Sequence, residues 1–116
     1  MGYRNTISWE AEDQLKALPV REQRILEAAV LARLRDHPAQ PTRAIKRLRP
    51  NPLAEFELRV GDLRVLYNVD IEAAEVVLLI VGRKVGNALI VGNEEFHGHE
   101  DDPPESTGIG SQGDAE

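Results

Sequence analysis

The segment FELRVGDLRVLY, Phe56 to Tyr67, constrains the fold more than any other. Phe56, Leu58 and Val60 alternate with Glu57 and Arg59, and Leu63, Val65 and Tyr67 resume the alternation after Gly61-Asp62. A period of two belongs to a strand with one buried face. Gly-Asp suits a two-residue hairpin loop, because glycine tolerates positive φ at the first loop position. In such a hairpin, facing residues share one sum of numbers. Val60 faces Leu63, Leu58 faces Val65, Phe56 faces Tyr67, and Arg59 faces Arg64. Like charges directly opposite each other repel, so this register needs a reason to hold two guanidinium groups side by side.

The flanking sequence builds a layer for the apolar side of that hairpin. YRNTIS alternates weakly and predicts a first strand ending near Ser8. Ala11, Leu15 and Leu18 then fall on one face of a helix, with Ser8 as its N-cap and Glu10, Glu12 and Asp13 at the positive end of its dipole. Pro19 breaks this helix and opens a longer one over residues 20–37. There Leu26, Val30 and Leu34 recur every fourth residue before Pro38 and Pro41 end it. After the hairpin, DIEAAE predicts a turn and VVLLIVG a central strand buried on both faces. VGN predicts a further turn before ALIVG. The expectation is an α+β fold: an N-terminal strand and helical hairpin packed on one face of a small, mostly antiparallel sheet.

A chain of 116 residues suggests one domain, long enough for a modest core without staples. It has no cysteine, which excludes disulfides and thiolate zinc sites. No apolar run approaches a membrane span, and the start MGYRNTISWE lacks a signal-peptide core. A cytoplasmic protein without membrane contact is expected.

Charge divides the chain. Eight of the 20 acids and none of the 14 bases lie from Glu94 onward, so twelve acids meet fourteen bases before it. Residues 1–93 are therefore mildly basic, and the folded domain is read as residues 1–96. Residues 97–116 read as an acidic, disordered tail, too poor in bulky apolar residues to offset chain entropy. His97 and His99 lie among acids in EEFHGHED, but nothing upstream adds a further cysteine or a well-placed histidine. No metal site and no cofactor are expected.

If the apolar hairpin face meets the helices, Arg59, Arg64, Glu55 and Glu57 lie on the opposite, open face. Arg83 and Lys84 in VGRKVGN point to opposite faces, so one of them joins the arginines. The connector RAIKRLRP adds Arg43, Lys46, Arg47 and Arg49 without an acid. Such a face is a seat for a polyanion, since phosphate oxygens relieve the repulsion and accept bidentate arginine contacts. The same residues are also consistent with a surface cluster neutralised by Glu57, with no ligand.

AIKRLRPNPLAEFELRVGDLRVLYNVD followed by VVLLIVGRKVGN resembles the RelE/ParE superfamily of bacterial type II toxins, over about Tyr3 to Phe96. The most specific part is LRVGDLRVLY with VGRK beyond it. The resemblance implies a toxin held in check by a cognate antitoxin. RelE-like members are mRNA interferases that cleave mRNA on the ribosome through its own 2′-OH. ParE-like members poison DNA gyrase and cut nothing, and inactive antitoxin-binding relatives share the fold. For an endoribonuclease, the resemblance makes Arg64, Lys84, Arg59 and Glu57 the catalytic candidates. Arg64 would steady the phosphate, Lys84 would match the basic residue ending the central strand, and Arg59 would add a phosphate contact. Arg83, Lys46, Arg47 and Arg49 are candidate RNA-binding residues. Two positions depart from the pattern. Glu55 and Glu57 stand where the best-known enzymes carry lysines, and Ile90 falls where a tyrosine is expected.

Overall fold

A computed structural model describes residues 2–92 and the strand at 94–97. Residues 98–116, which hold the rest of the acidic tail and the second half of EEFHGHED, lie outside the described residues. In chain order the elements are β1 (Arg4–Ile7), α1 (Trp9–Lys16), α2 (Val20–Arg33), β2 (Ile45–Arg47), β3 (Phe56–Val60), β4 (Leu63–Asp70), β5 (Glu75–Val85), β6 (Ala88–Val91) and β7 (Glu94–His97). The expected α+β arrangement is present, with more strands than the sequence suggested. The described residues form one seven-stranded sheet in the order β2-β3-β4-β5-β6-β7, and β1 joins β5 in parallel.

The outer edge of β5 is shared. β1 pairs with its first part, Glu75 to Leu78, and β6 with its last, Arg83 to Val85. Between them the Val81 N–H donates to Gln14 Oε1 at 2.8 Å, so α1 covers the interval. Ser8 caps α1 as its sequence position predicts, its Oγ accepting from the Ala11 N–H at 3.1 Å. Helix α2 ends at Arg33, four residues short of the predicted end. The connector RAIKRLRP contains the short strand β2.

The hairpin register is the one its sum of numbers requires: Phe56 with Tyr67, Leu58 with Val65, Arg59 with Arg64 and Val60 with Leu63. Gly61 takes φ of 59°, where a side chain would be strained. Ala11, Leu26, Val30 and Leu34 of the helical layer pack on Ile45, Phe56, Leu58, Val65, Tyr67, Leu78 and Val81 of the sheet. Phe56 and Tyr67 stack with ring centroids 5.5 Å apart, which adds to the area they bury.

The opposite face is not open, which corrects the sequence expectation. Leu48, Ala54, Leu66, Leu89 and Val91 form a second apolar cluster there, with Leu53, Leu79 and Ile80 against it. Two segments build this cover. Asn51 clamps residues 49–54: its Oδ1 accepts from the N–H groups of Leu53 and Ala54, and its Nδ2 donates to the carbonyls of Arg49 and Ala54. On the other side β6 closes over Gly82, where an added Cβ would meet the Ile90 carbonyl oxygen at 2.6 Å. Only glycine permits that approach.

Candidate nucleic-acid interface

The period of two on each strand decides which cations share a surface. On β3 and β4, Glu57, Arg59 and Arg64 lie on the face away from the helices. Lys46 joins them, since β2 pairs Lys46 with Glu57. On β5, Gly82 is the partner of Arg64, and Lys84, two residues on, returns to the same face. Arg59, Arg64, Lys84 and Lys46 therefore share one side of the sheet. Arg83 and Arg47 do not. Arg83 turns to the helices and meets Glu22, while Arg47 places its guanidinium carbon 5.2 Å from the Phe56 ring centroid. Arg49 is exposed on the covering segment.

A β-bulge makes this assignment. Leu66 pairs with Ile80 and Tyr67 with Leu78, so Leu79 is an extra residue in β5. Val76 and Leu78 face the helices before it, and Val81 and Arg83 after it. Without the bulge, Lys84 would share a face with Leu78.

Burial gives the site its depth. Arg64 is 8% exposed and Glu57 is fully enclosed. Arg64 Nη1 donates to the Gly61 carbonyl at 2.7 Å and to the Leu63 carbonyl at 2.9 Å, so its guanidinium plane is fixed by its own turn. Arg59 Nε donates to Glu57 Oε1 at 3.1 Å, with a third of the Arg59 side chain still exposed. The Lys84 N–H donates to the Asp62 carbonyl at 2.7 Å, tying the end of β5 to the same turn. Arg64 is therefore nearly covered, and Arg59 beside it remains partly exposed. Lys84 lies beyond the turn, on the same side of the sheet.

Tyr67 points into the core, as its position in the alternation predicts. Its hydroxyl donates to the Pro38 carbonyl at 2.7 Å, and burial pushes its pKa well above the ordinary tyrosine range. Glu55 is engaged at the strand end, where its Oε1 accepts from the Val69 N–H at 3.1 Å. Sequence reasoning missed the Asn51 clamp, the Glu22–Arg83 pair and the close approach at Gly82. The clamp alone carried a local signal, the turn-forming run Pro50-Asn51-Pro52.

A second feature lies on the helical side. An open cleft of about 470 Å³ runs between α1, α2 and the sheet, lined by apolar groups including Leu15, Leu26, Val30, Leu31 and Leu78. Leu31 on its rim is 64% exposed. No described helix is long and apolar enough to cross a membrane.

No family model and no curated protein matches the chain. Among solved structures it is similar to the crystal structure of the toxin–antitoxin complex RelBE2 from Mycobacterium tuberculosis. The TM-score is 0.60 at 28% identity, over 72% of this chain and all of that one. The fold is RelE-like.

Proposed function

We propose that this chain is the toxin of a type II toxin–antitoxin pair and that its basic face grips the backbone of mRNA on the ribosome. The observation that carries the reading is the Arg59–Arg64 register pair, with Lys84 delivered to the same face by the bulge. Two fixed guanidinium groups and an ammonium suit a phosphate that gains charge as it becomes pentavalent. In cleavage through the 2′-OH, the O2′–P bond forms and the P–O5′ bond breaks. The hydroxyl loses its proton to a base and O5′ gains one. Arg64, Arg59 and Lys84 stabilise the charge between those two transfers. Glu57 is the counter-ion that aims Arg59, since its carboxylate is enclosed and already hydrogen-bonded.

The proposed partner is an antitoxin segment whose apolar side chains enter the α1–α2 cleft in helix-in-groove fashion. Strand addition on β2 is disfavoured, because Thr42 already occupies that edge. Its N–H donates to the Ile45 carbonyl at 2.8 Å and its Oγ1 accepts from the Ile45 N–H at 3.0 Å. The complex with similar structure supports such a partner.

A second reading is a gyrase inhibitor or a relative that only binds antitoxin. The enclosed Glu57 and the committed Tyr67 hydroxyl favour it, because neither group is positioned to move a proton. Induction in a bacterial host with mapping of mRNA 5′ ends separates the two. New ends in translated regions, lost in Lys84→Ala and Arg59→Ala, support the interferase. Growth arrest with intact mRNA and a DNA-damage response supports the gyrase reading.

A further inference from the structure

We infer that Glu22, on the helical layer, is a positioning residue for Lys84 and acts through Arg83. The inference rests on the reading of the Lys84 face given above. Arg83 and Lys84 are consecutive, and a strand sends consecutive side chains to opposite faces. What fixes one therefore orients the other through a single peptide unit. Arg83 Nη1 donates to Glu22 Oε2 at 3.1 Å and Nη2 donates to Glu22 Oε1, a two-pronged contact that fixes orientation as well as distance. Glu22 lies in the first turn of α2. The hydrogen bond from Arg83, more than its charge, holds the Glu22 carboxyl below the usual carboxylate range.

Pairing to β4 and β6 keeps the end of β5 within the sheet, and the Glu22 contact adds a tie perpendicular to it, from the Arg83 side of the strand to α2. On the ligand side, the Lys84 N–H is bound to the Asp62 carbonyl, and the Gly61 carbonyl of the same turn fixes Arg64. Lys84 and Arg64 are thus referenced to one turn on one side of the sheet, and the strand carrying Lys84 is pinned to α2 on the other. If the pin were lost, the Arg83 side of the strand would no longer be held to α2, and Lys84 would shift slightly relative to Arg64.

The test uses full-length protein on programmed ribosomes. Glu22→Gln is compared with Glu75→Gln, which breaks the Arg4–Glu75 pair at the opposite end of β5. The charge swap Glu22→Arg/Arg83→Glu is included, and thermal unfolding confirms that every variant is folded. Glu22→Gln is expected to slow single-turnover cleavage about tenfold at saturating toxin, as a sub-ångström displacement of a phosphate-binding group would. The half-saturating concentration should hold, Glu75→Gln should cleave like the wild type, and the swap should recover most of the rate. Wild-type rates in Glu22→Gln, or no recovery in the swap, would overturn the inference. The latter result would make Arg83 a direct RNA contact.

If the wild type cuts no RNA, the functional reading fails separately, and amide exchange decides the positioning. Glu22→Gln should then speed exchange at the Lys84 N–H about tenfold relative to Glu75→Gln. Equal rates would sink it.

Discussion

The fully enclosed Glu57 carboxylate accepts a hydrogen bond from Arg59 Nε at 3.1 Å, on the face where Arg59 lies opposite Arg64. This contact answers the electrostatic question posed by the hairpin. The like charges are tolerable because an anion is buried beside them, opposite Lys46 in the register of β2. Replacing Glu57 by Gln leaves the cations uncompensated and should lower the unfolding free energy by about 2–4 kcal/mol. Urea denaturation measures this. A variant of wild-type stability that has lost all RNA cleavage would instead identify Glu57 as the base.

Lys84 contacts phosphate in the proposed complex, so its loss should act through charge. Binding of single-stranded RNA, followed by fluorescence anisotropy across a salt series, should show a log–log slope shallower by about 0.7 in Lys84→Ala. Arg24→Ala, on an exposed position of α2, should leave the slope unchanged. Equal slopes for wild type and Lys84→Ala would remove Lys84 from the interface.

Gly82 is a packing requirement. An alanine there would press its Cβ against the Ile90 carbonyl oxygen and the Val91 and Leu89 side chains. The backbone oxygen cannot swing away as a side chain would, so β6 must lift from the sheet. Gly82→Ala should cost about 1–3 kcal/mol by denaturant unfolding. It should also raise amide exchange across β6.

Tyr67 gives a stability signature in alkali. Burial favours its neutral form, so the folded value lies above the unfolded one. A phenol of this kind contributes stability that is fully present below the unfolded value, about 10, and is lost as pH rises from there towards the folded value. Tyr67→Phe lacks the hydrogen bond to the Pro38 carbonyl and should start about 1 kcal/mol less stable at neutral pH. The gap between the two proteins should shrink above about pH 10. A gap that stays constant in paired urea titrations would show that Tyr67 ionises freely in the fold.

Much of this architecture was legible from short-range pattern. The sum rule of a two-residue loop gave the Arg59–Arg64 register, and Ser8 gave the start of α1. The spacing of Leu26, Val30 and Leu34 gave the core stripe of α2, and the alternation sent Tyr67 inward. The cover on the second face was not legible, because it depends on contacts between segments remote in sequence. Leu48 and Leu53 come from a segment without periodicity, and they share a cluster with Leu66, Leu89 and Val91 only in the folded sheet. The burial of Glu57 followed from the same cause. Alternation also could not say which of Arg83 and Lys84 would join the arginines. Counted from Val76 and Leu78 it gives Arg83, and the inserted Leu79 reverses the answer. The Glu22–Arg83 pair joins residues far apart along the chain, with no local motif to announce it.

That inserted residue makes the strand's chemistry a matter of reading frame. β5 carries two cations back to back, and one extra position upstream decides which joins Arg59 and Arg64 and which is tied to the helical layer. A chain of nearly the same composition, one leucine shorter, would offer the guanidinium outward and turn the ammonium towards the Glu22 side. The identity of the cation on the Arg59–Arg64 face is therefore encoded in a length, several residues away from the cation itself.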